Sequence, residues 1–244
     1  MIKSVLRIII AVLCILAIAF VTYRHGRWLW HPVYLKITGK RSLSDVYDLY
    51  GKQAEVNLLT AFQVAGVSYP PESLIILALK EEMVLEVWGS FGNKMEKIRE
   101  YPFTGFSGTL GPKLIRGDGQ IPEGVYDLTF LNPNSSYHLS IQVGYPNIFD
   151  LKAAKQDGRT DLGGDIFIHG KSVTIGCIPI GDRAIEELFT LIYRVGLNNC
   201  RAVIAPCDMR KKNKKLSTVQ PIWLKEKYTR IKSAVNPLTG HKVE

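Results

Sequence analysis

Residues 165–182 read DIFIHGKSVTIGCIPIGD. The run Ile166, Phe167, Ile168 is bounded by Gly163 and Gly164 on one side and Gly170 on the other, the pattern of a short buried strand that delivers His169 to its end. Eight residues further on, Gly176 precedes Cys177. A nucleophilic cysteine needs a neighbouring base, because an ordinary thiol pKa of about 8.5 leaves only a few per cent thiolate at neutral pH. His169 is the base this stretch offers. Gly176 would let the backbone approach a substrate carbonyl, with the amides of Ile175, Gly176 and Cys177 turned toward a developing oxyanion. On spacing alone, a small buried hydrophobe at Cys177 and a hydrogen-bonded strand-end histidine at His169 fit equally well.

On either side of this stretch the chain reads as strands at 74–79, 84–88, 97–104, 125–131, 137–143 and 202–205. Bends at 89–93, 132–134 and Gly163-Gly164 separate them, and 105–124 is a loop punctuated by glycine and proline, long enough to suspect function. A helix is expected after Ser44, with Val46, Leu49 and Tyr50 on one side. A second runs over 55–65, with Val56, Leu59 and Phe62 at three-residue spacing and Gly66 as C-cap. A third occupies 183–193, with Asp182 as its N-cap. The class is mainly β (α+β) with peripheral helices, and no internal repeat supports a solenoid or propeller.

The chain has 244 residues, 46% hydrophobic and 22% charged, which excludes a disordered chain. Of the net charge of +9, residues 210–232 carry +8, from nine basic side chains and Glu226. The excess sits in one segment, so a surface that tracks nucleic acid is not expected. Attraction of that tail to anionic lipid or acidic wall polymer is the functional reading of the charge, and plain solvation the bland one. Cys14, Cys177, Cys200 and Cys207 form no CxxC pair, and the five histidines show no clustered ligand spacing, so neither a disulfide framework nor a metal site is read. Cys200 and Cys207 flank a strand and are expected as free thiols. Residues 8–23 are uncharged, preceded by Lys3 and Arg7 and closed by Tyr23, Arg24, Trp28 and Trp30, which marks either a cleaved signal peptide or a membrane anchor through residues 4–23. The basic bias leaves the N-terminus in the cytoplasm and the body outside. The division is 1–23 signal segment, 24–70 connector and short helices, 71–209 catalytic domain and 210–244 basic tail with a helical pattern.

His169-Gly170 followed by Thr174-Ile175-Gly176-Cys177 resembles the signature of the L,D-transpeptidase (YkuD-like) catalytic domain. The segments GPKLIRGDGQIPEGVY (111–126), LNPNSSYHLS (131–140) and GYPN (144–147) are similar to its YafK-like branch, so the likeness spans about residues 45–212. It implies a β-sandwich-like domain in which Cys177 and His169 meet in a cleft. The chemistry it implies is acyl transfer on peptidoglycan stem peptides at the periplasmic side of the inner membrane, in cell wall biogenesis or remodelling. Cys177 would attack a carbonyl at the L-centre of diaminopimelate and form a thioacyl-enzyme. His169 would take the thiol proton while the Gly170 carbonyl holds its ring, and no metal or organic cofactor is implied.

The family-like segments also nominate Lys113, Arg116, Asp118, Tyr137, His138, Tyr145 and Asn147 for substrate recognition, since stem peptides offer carboxylates and amines. Each has a bland reading, Tyr145 to Asn147 as a turn and Lys113 or Asp118 as loop charges. Two departures from the signature stand out. Pro179 occupies a position where many members carry arginine or asparagine, and Ile175 one where they often carry a second histidine. They leave open a hydrolase that releases a peptidoglycan-linked lipoprotein or stem fragments. A non-catalytic wall-binding module is the reading of a different class.

Overall fold

The computed structural model describes residues 2–92, 94–211 and 221–239. Strand β1 (Leu74–Leu79) is the continuous apolar run LIILAL, the composition of a strand covered on both faces. It pairs antiparallel with β2 (Val84–Phe91) and parallel with β8 (Cys200–Ala205). The side-chain period of two divides both strands between two cores. Leu74, Ile76, Ala78, Cys200, Ala202 and Ile204 enter one, and Leu77, Leu79, Val203 and Ala205 the other.

The remaining strands are β3 (Lys94–Pro102), β4 (Gly124–Asn132), β5 (Ser140–Val143), β6 (Ile166–His169) and β7 (Ile178–Pro179). They complete one eight-stranded sheet in the order β3-β2-β1-β8-β4-β5-β6-β7. The sandwich-like architecture is thus built from a single curled sheet. Strand β4 makes the turn: residues 124–127 pair with β8, the register shifts between Leu128 and Phe130, and the rest pairs with β5. Such an irregularity bends a strand and re-aims its partner, here β5, on which β6 with His169 is paired in turn.

One continuous helical run precedes the sheet: α3 (Leu43–Val46), a π-helical turn (Tyr47–Gly51) and α4 (Lys52–Ala65), ended by Gly66 in the left-handed conformation. On α4 the three-residue row read from the sequence is buried only at Phe62. Ala54, Leu58 and Phe62 are buried, whereas Val56 and Leu59 are 62% and 41% exposed. A helix of 3.6 residues per turn keeps positions i, i+4 and i+8 close to one face, so the buried row runs through 54, 58 and 62, and a three-residue row turns away from it. Helix α6 (Asp182–Val195) packs on the same core through Ile185, Leu188, Phe189 and Ile192. Its N-cap is Gly181, not Asp182. Helix α5 (Ile148–Gln156) and strand β7 are additions to the elements expected from the sequence. Cys200 and Cys207 are buried, and neither is in a disulfide.

The chain divides into two units, Met1–Ser42 and Leu43–Glu244. The first holds α1 (Ile2–His25) and α2 (Arg27–Thr38), the latter in place of the expected connector. Within α1, Ser4–Tyr23 is long and apolar enough to cross a membrane. The second unit takes in residues 43–70 as well as α7 (Ile222–Val235), whose Trp223, Leu224, Tyr228, Ile231 and Val235 fill the second core. The described part of the tail, 221–239, is therefore part of this fold, and several charges from Arg210 onward are used internally. Arg210 pairs with Asp208 and Glu86, Lys227 is buried against Asp150, and Arg230 pairs with Glu226. Lys212, Lys214 and Lys215 lie outside the described residues.

A buried ion pair ties α7, β1 and the end of the 105–124 loop together. Lys80 Nζ meets Glu123 Oε1 at 3.0 Å with both side chains fully buried, and also donates to the carbonyls of Gly111 and Ile121. Glu123 Oε2 accepts from the Tyr228 hydroxyl at 2.8 Å. Removing one partner of such a pair leaves an uncompensated charge. Lys80→Met should cost about 3–5 kcal/mol in denaturant unfolding, and Lys80→Met with Glu123→Gln should recover a large part of it. Equal losses in the single and double variants would show that the ion pair is not the source of the cost.

Candidate active site

Strands β6 and β7 run parallel, with Ile168 beside Ile178 and His169 beside Pro179. Extending that register by one residue sets Cys177 beside Phe167, two residues from His169, and the period of two puts positions 167 and 169 on one face of their strand. The thiol contacts agree with this placement: Sγ accepts the Phe167 amide at 3.4 Å and lies 3.7 Å from the Asp165 carbonyl oxygen. Cys177 is half-buried.

The turn leading into Cys177 is fixed by Thr174, whose hydroxyl donates to the Cys177 carbonyl at 2.7 Å and accepts the Cys177 amide at 3.0 Å. Gly176 has φ +93°, and a Cβ there would stand 3.0 Å from the Gln120 carbonyl oxygen. Its amide donates to the Ser107 hydroxyl at 2.7 Å, and that hydroxyl donates in turn to the Gly119 carbonyl. These contacts occupy two of the amides expected to face an oxyanion. Glycine is required at 176 for the approach of the 105–124 loop, and the amides of Gly176 and Cys177 are both bonded to hydroxyls. Ile175 is 79% exposed, at the rim. Ser107, which carries the link between loop and cysteine turn, has no sequence signal beyond its place in a long loop.

His169 is 1% exposed. Its Nδ1 lies 2.5 Å from the Gly170 carbonyl oxygen, which can only accept, so the proton resides on Nδ1 and Nε2 presents a lone pair. The Tyr137 ring covers the imidazole at 4.6 Å between centroids. Burial pushes the imidazole pKa down, opposed by the bond to Gly170. Burial also pushes the Cys177 thiol up, opposed chiefly by the Phe167 amide, with Lys113 as a weaker favourable charge. Thiol and imidazole therefore rest in their neutral forms.

The nominated recognition residues separate into three groups. Tyr137 stands at His169. Lys113, Arg116 and Asp118 organise the loop: Lys113 Nζ meets Asp118 Oδ1 at 2.6 Å, the other Asp118 oxygen accepts the amides of Leu114 and Ile115, and exposed Arg116 pairs with Asp161 at 2.9 Å. His138, Tyr145 and Asn147 have structural partners. His138 Nε2 lies 2.7 Å from Glu186 Oε1. Tyr145 is buried in the core, its hydroxyl bonded to the Leu162 carbonyl. Asn147 caps α5 in a reciprocal capping box with Asp150. For Tyr145 and Asn147 the recognition role is corrected, because their polar atoms are committed to the fold. Among the described residues no group of three or more His, Cys, Asp or Glu could hold a metal ion.

Compared with known proteins, the chain is 31% identical over 156 residues to "Putative L,D-transpeptidase YafK" of Escherichia coli, in strain K12 and in O157:H7 alike. The match covers 61% of this chain and 61% of the length of those relatives. No family model matches the sequence. Among solved structures, the helical cell shape determining protein Pgp2 from Campylobacter jejuni is 27% identical over 56% of this chain and 48% of its own, with a TM-score of 0.46. Bd1075 from Bdellovibrio bacteriovorus is 23% identical over 66% of this chain and 54% of its own, with a TM-score of 0.42.

The buried neutral imidazole has a thermodynamic signature. The unfolded chain binds a proton at His169 near the ordinary value of 6.5, whereas the folded chain does so only at lower pH. The contribution of His169 to stability is thus complete above 6.5 and is lost as pH falls from there toward the depressed folded value. In that window His169→Gln should flatten the dependence of stability on pH by up to ~1.4 kcal/mol per pH unit. An unchanged slope in denaturation at several pH values would contradict the buried neutral state.

Proposed function

We propose that this chain, a YafK-like homologue within the L,D-transpeptidase family, is an extracytoplasmic cysteine acyltransferase acting on peptidoglycan stem peptides. The observation that carries the reading is the contact of His169 Nδ1 with the Gly170 carbonyl: it assigns the ring proton to Nδ1, so that Nε2 carries the lone pair that would accept the Cys177 proton. Because thiol and imidazole both rest neutral, the proton moves as sulfur attacks. The sulfur adds to the carbonyl at the L-centre of diaminopimelate, and the imidazolium returns its proton to the departing amine. The product is a thioester on Cys177, resolved when His169 deprotonates an incoming amine. Residues 4–23 would hold the enzyme to the membrane, with the second unit on the periplasmic side.

A second reading is supported by Pro179 and Ile175. Pro179 is buried in β7, and Ile175 is an exposed apolar side chain. Neither supplies a charge to hold an acceptor, whereas water needs none. The same thioester would then be hydrolysed, releasing a peptidoglycan-linked lipoprotein or stem fragments.

The deciding experiment incubates the detergent-solubilised full chain with peptidoglycan fragments, free and lipoprotein-linked, and identifies products by mass spectrometry. Cys177→Ala should lower product formation by about 10³-fold or more. New amide-linked stems indicate transfer, and incorporation of one water indicates hydrolysis. Absence of any Cys177-dependent product would leave the wall-binding module.

A further inference from the structure

Asp182 takes no part in the chemistry assigned to Cys177 and His169, yet it touches the histidine's support. The peptide unit between Gly170 and Lys171 has two polar ends. Its carbonyl accepts the His169 Nδ1 proton at 2.5 Å, and its N–H donates to Asp182 Oδ1 at 2.9 Å. We propose that Asp182 is a positioning residue for His169, acting through this single peptide unit as the carboxylate of a Cys177–His169–Asp182 relay. The proposal rests on His169 serving as the base.

The coupling is polarisation. A carboxylate on the N–H of a peptide draws electron density toward its carbonyl oxygen, and hydrogen bonds in series strengthen one another by perhaps 10–30% each. The Gly170 carbonyl thus becomes a better acceptor for Nδ1–H, which fixes the ring and raises the proton affinity of Nε2. The local backbone suits this arrangement. A Cβ at residue 170 would stand 2.6 Å from Asp182 Oδ1 and 2.7 Å from the Tyr137 carbonyl oxygen, so only glycine lets the carboxylate lie against this peptide. Lys171 adopts φ +59°, a left-handed conformation uncommon outside glycine.

Several groups face the carboxylate. Its other oxygen pairs with the Lys171 ammonium, and His138, itself bonded to Glu186, contributes a favourable field. Burial works against ionisation of Asp182, but the bonds to Lys171 outweigh it and hold the carboxyl below its ordinary range. The ammonium tempers the field that reaches the peptide. Two substitutions should therefore move His169 in opposite directions.

The test tracks the His169 ring nitrogens by NMR in the full chain labelled at histidine, titrated with pH, together with turnover on whichever peptidoglycan fragment proves to be the substrate. Asp182→Asn preserves an acceptor for the Lys171 amide and removes the charge. It should lower the proton affinity of His169 by about threefold to tenfold, lower kcat by a similar factor at constant KM, and shift the acid limb of the pH profile downward. Lys171→Met should shift the His169 titration upward. A His169 titration unmoved by Asp182→Asn, with or without a change in melting temperature, overturns the proposal. If Asp182→Asn does not fold, an unmoved or lowered titration in Lys171→Met overturns it instead. The NMR titration needs no substrate, so its outcome is separable from that of the functional reading: a wild-type chain with no Cys177-dependent product but a shifted titration would retain the relay and lose the enzyme.

Discussion

The base proposed for this site is a histidine of 1% exposure, a role that needs its ring held in one tautomer, and the Gly170 carbonyl does the holding. Much of the local structure depends on that bond. The acceptor is the residue next to the histidine, so the backbone must turn sharply at the end of β6. Lys171 takes positive φ to make that turn, and glycine at 170 leaves room for the side chains and backbone packed behind it. Tyr137 closes one side of the ring, and the parallel pairing of β6 with β7 brings Cys177 to the neighbouring strand position.

The loop beside the cysteine is restrained from the opposite direction. Its far end is fixed by Glu123, which the Lys80 ammonium and the Tyr228 hydroxyl hold inside the fold. Its middle is fixed by Asp118, which gathers Lys113 and three loop amides. Its near end meets the cysteine turn through Ser107 and Gly176. Charged groups at this depth are poor contributors to net stability, since desolvation offsets most of their attraction. Their consequence is geometric: a loop of glycines and prolines with no regular structure is set against the turn that leads into Cys177. Helix α7, late in the chain, is part of that restraint through Tyr228.

The features legible in the sequence are those that local pattern decides. β1 and β6 are short apolar runs between turn signals, and their limits match the expected ones. Gly66 closes α4 as a left-handed cap because nothing but local geometry is involved. The motif around His169 and Cys177 is legible as a resemblance. The features that escape it depend on contacts distant in sequence. β7 is two residues long and exists only because β6 lies beside it. Asp182 reads as an N-cap by composition, yet its carboxylate turns to Lys171, eleven positions away. The amides expected to face an oxyanion are bonded to Ser107 and Thr174. Lys227, in sequence one more solvent charge in a basic tail, is buried against Asp150, 77 positions away.

The resting electrostatics bear on when the nucleophile forms. In a pre-formed thiolate–imidazolium pair the histidine would titrate above its ordinary value and the cysteine below; here burial moves each the other way. In the proposed acyl transfer the thiolate would therefore arise during attack, and the histidine would have to be basic enough at that moment without being charged beforehand. Such an arrangement also limits side reactions, because oxidation of a cysteine depends on its thiolate character and exposure. In the oxidising compartment proposed for this domain, a half-buried neutral thiol is protected until substrate arrives. A carboxylate acting through one peptide unit meets the same requirement. Placed directly on Nδ1 it would charge the ring at rest, whereas set back behind the Gly170 carbonyl and tempered by Lys171 it strengthens the base while leaving the imidazole neutral.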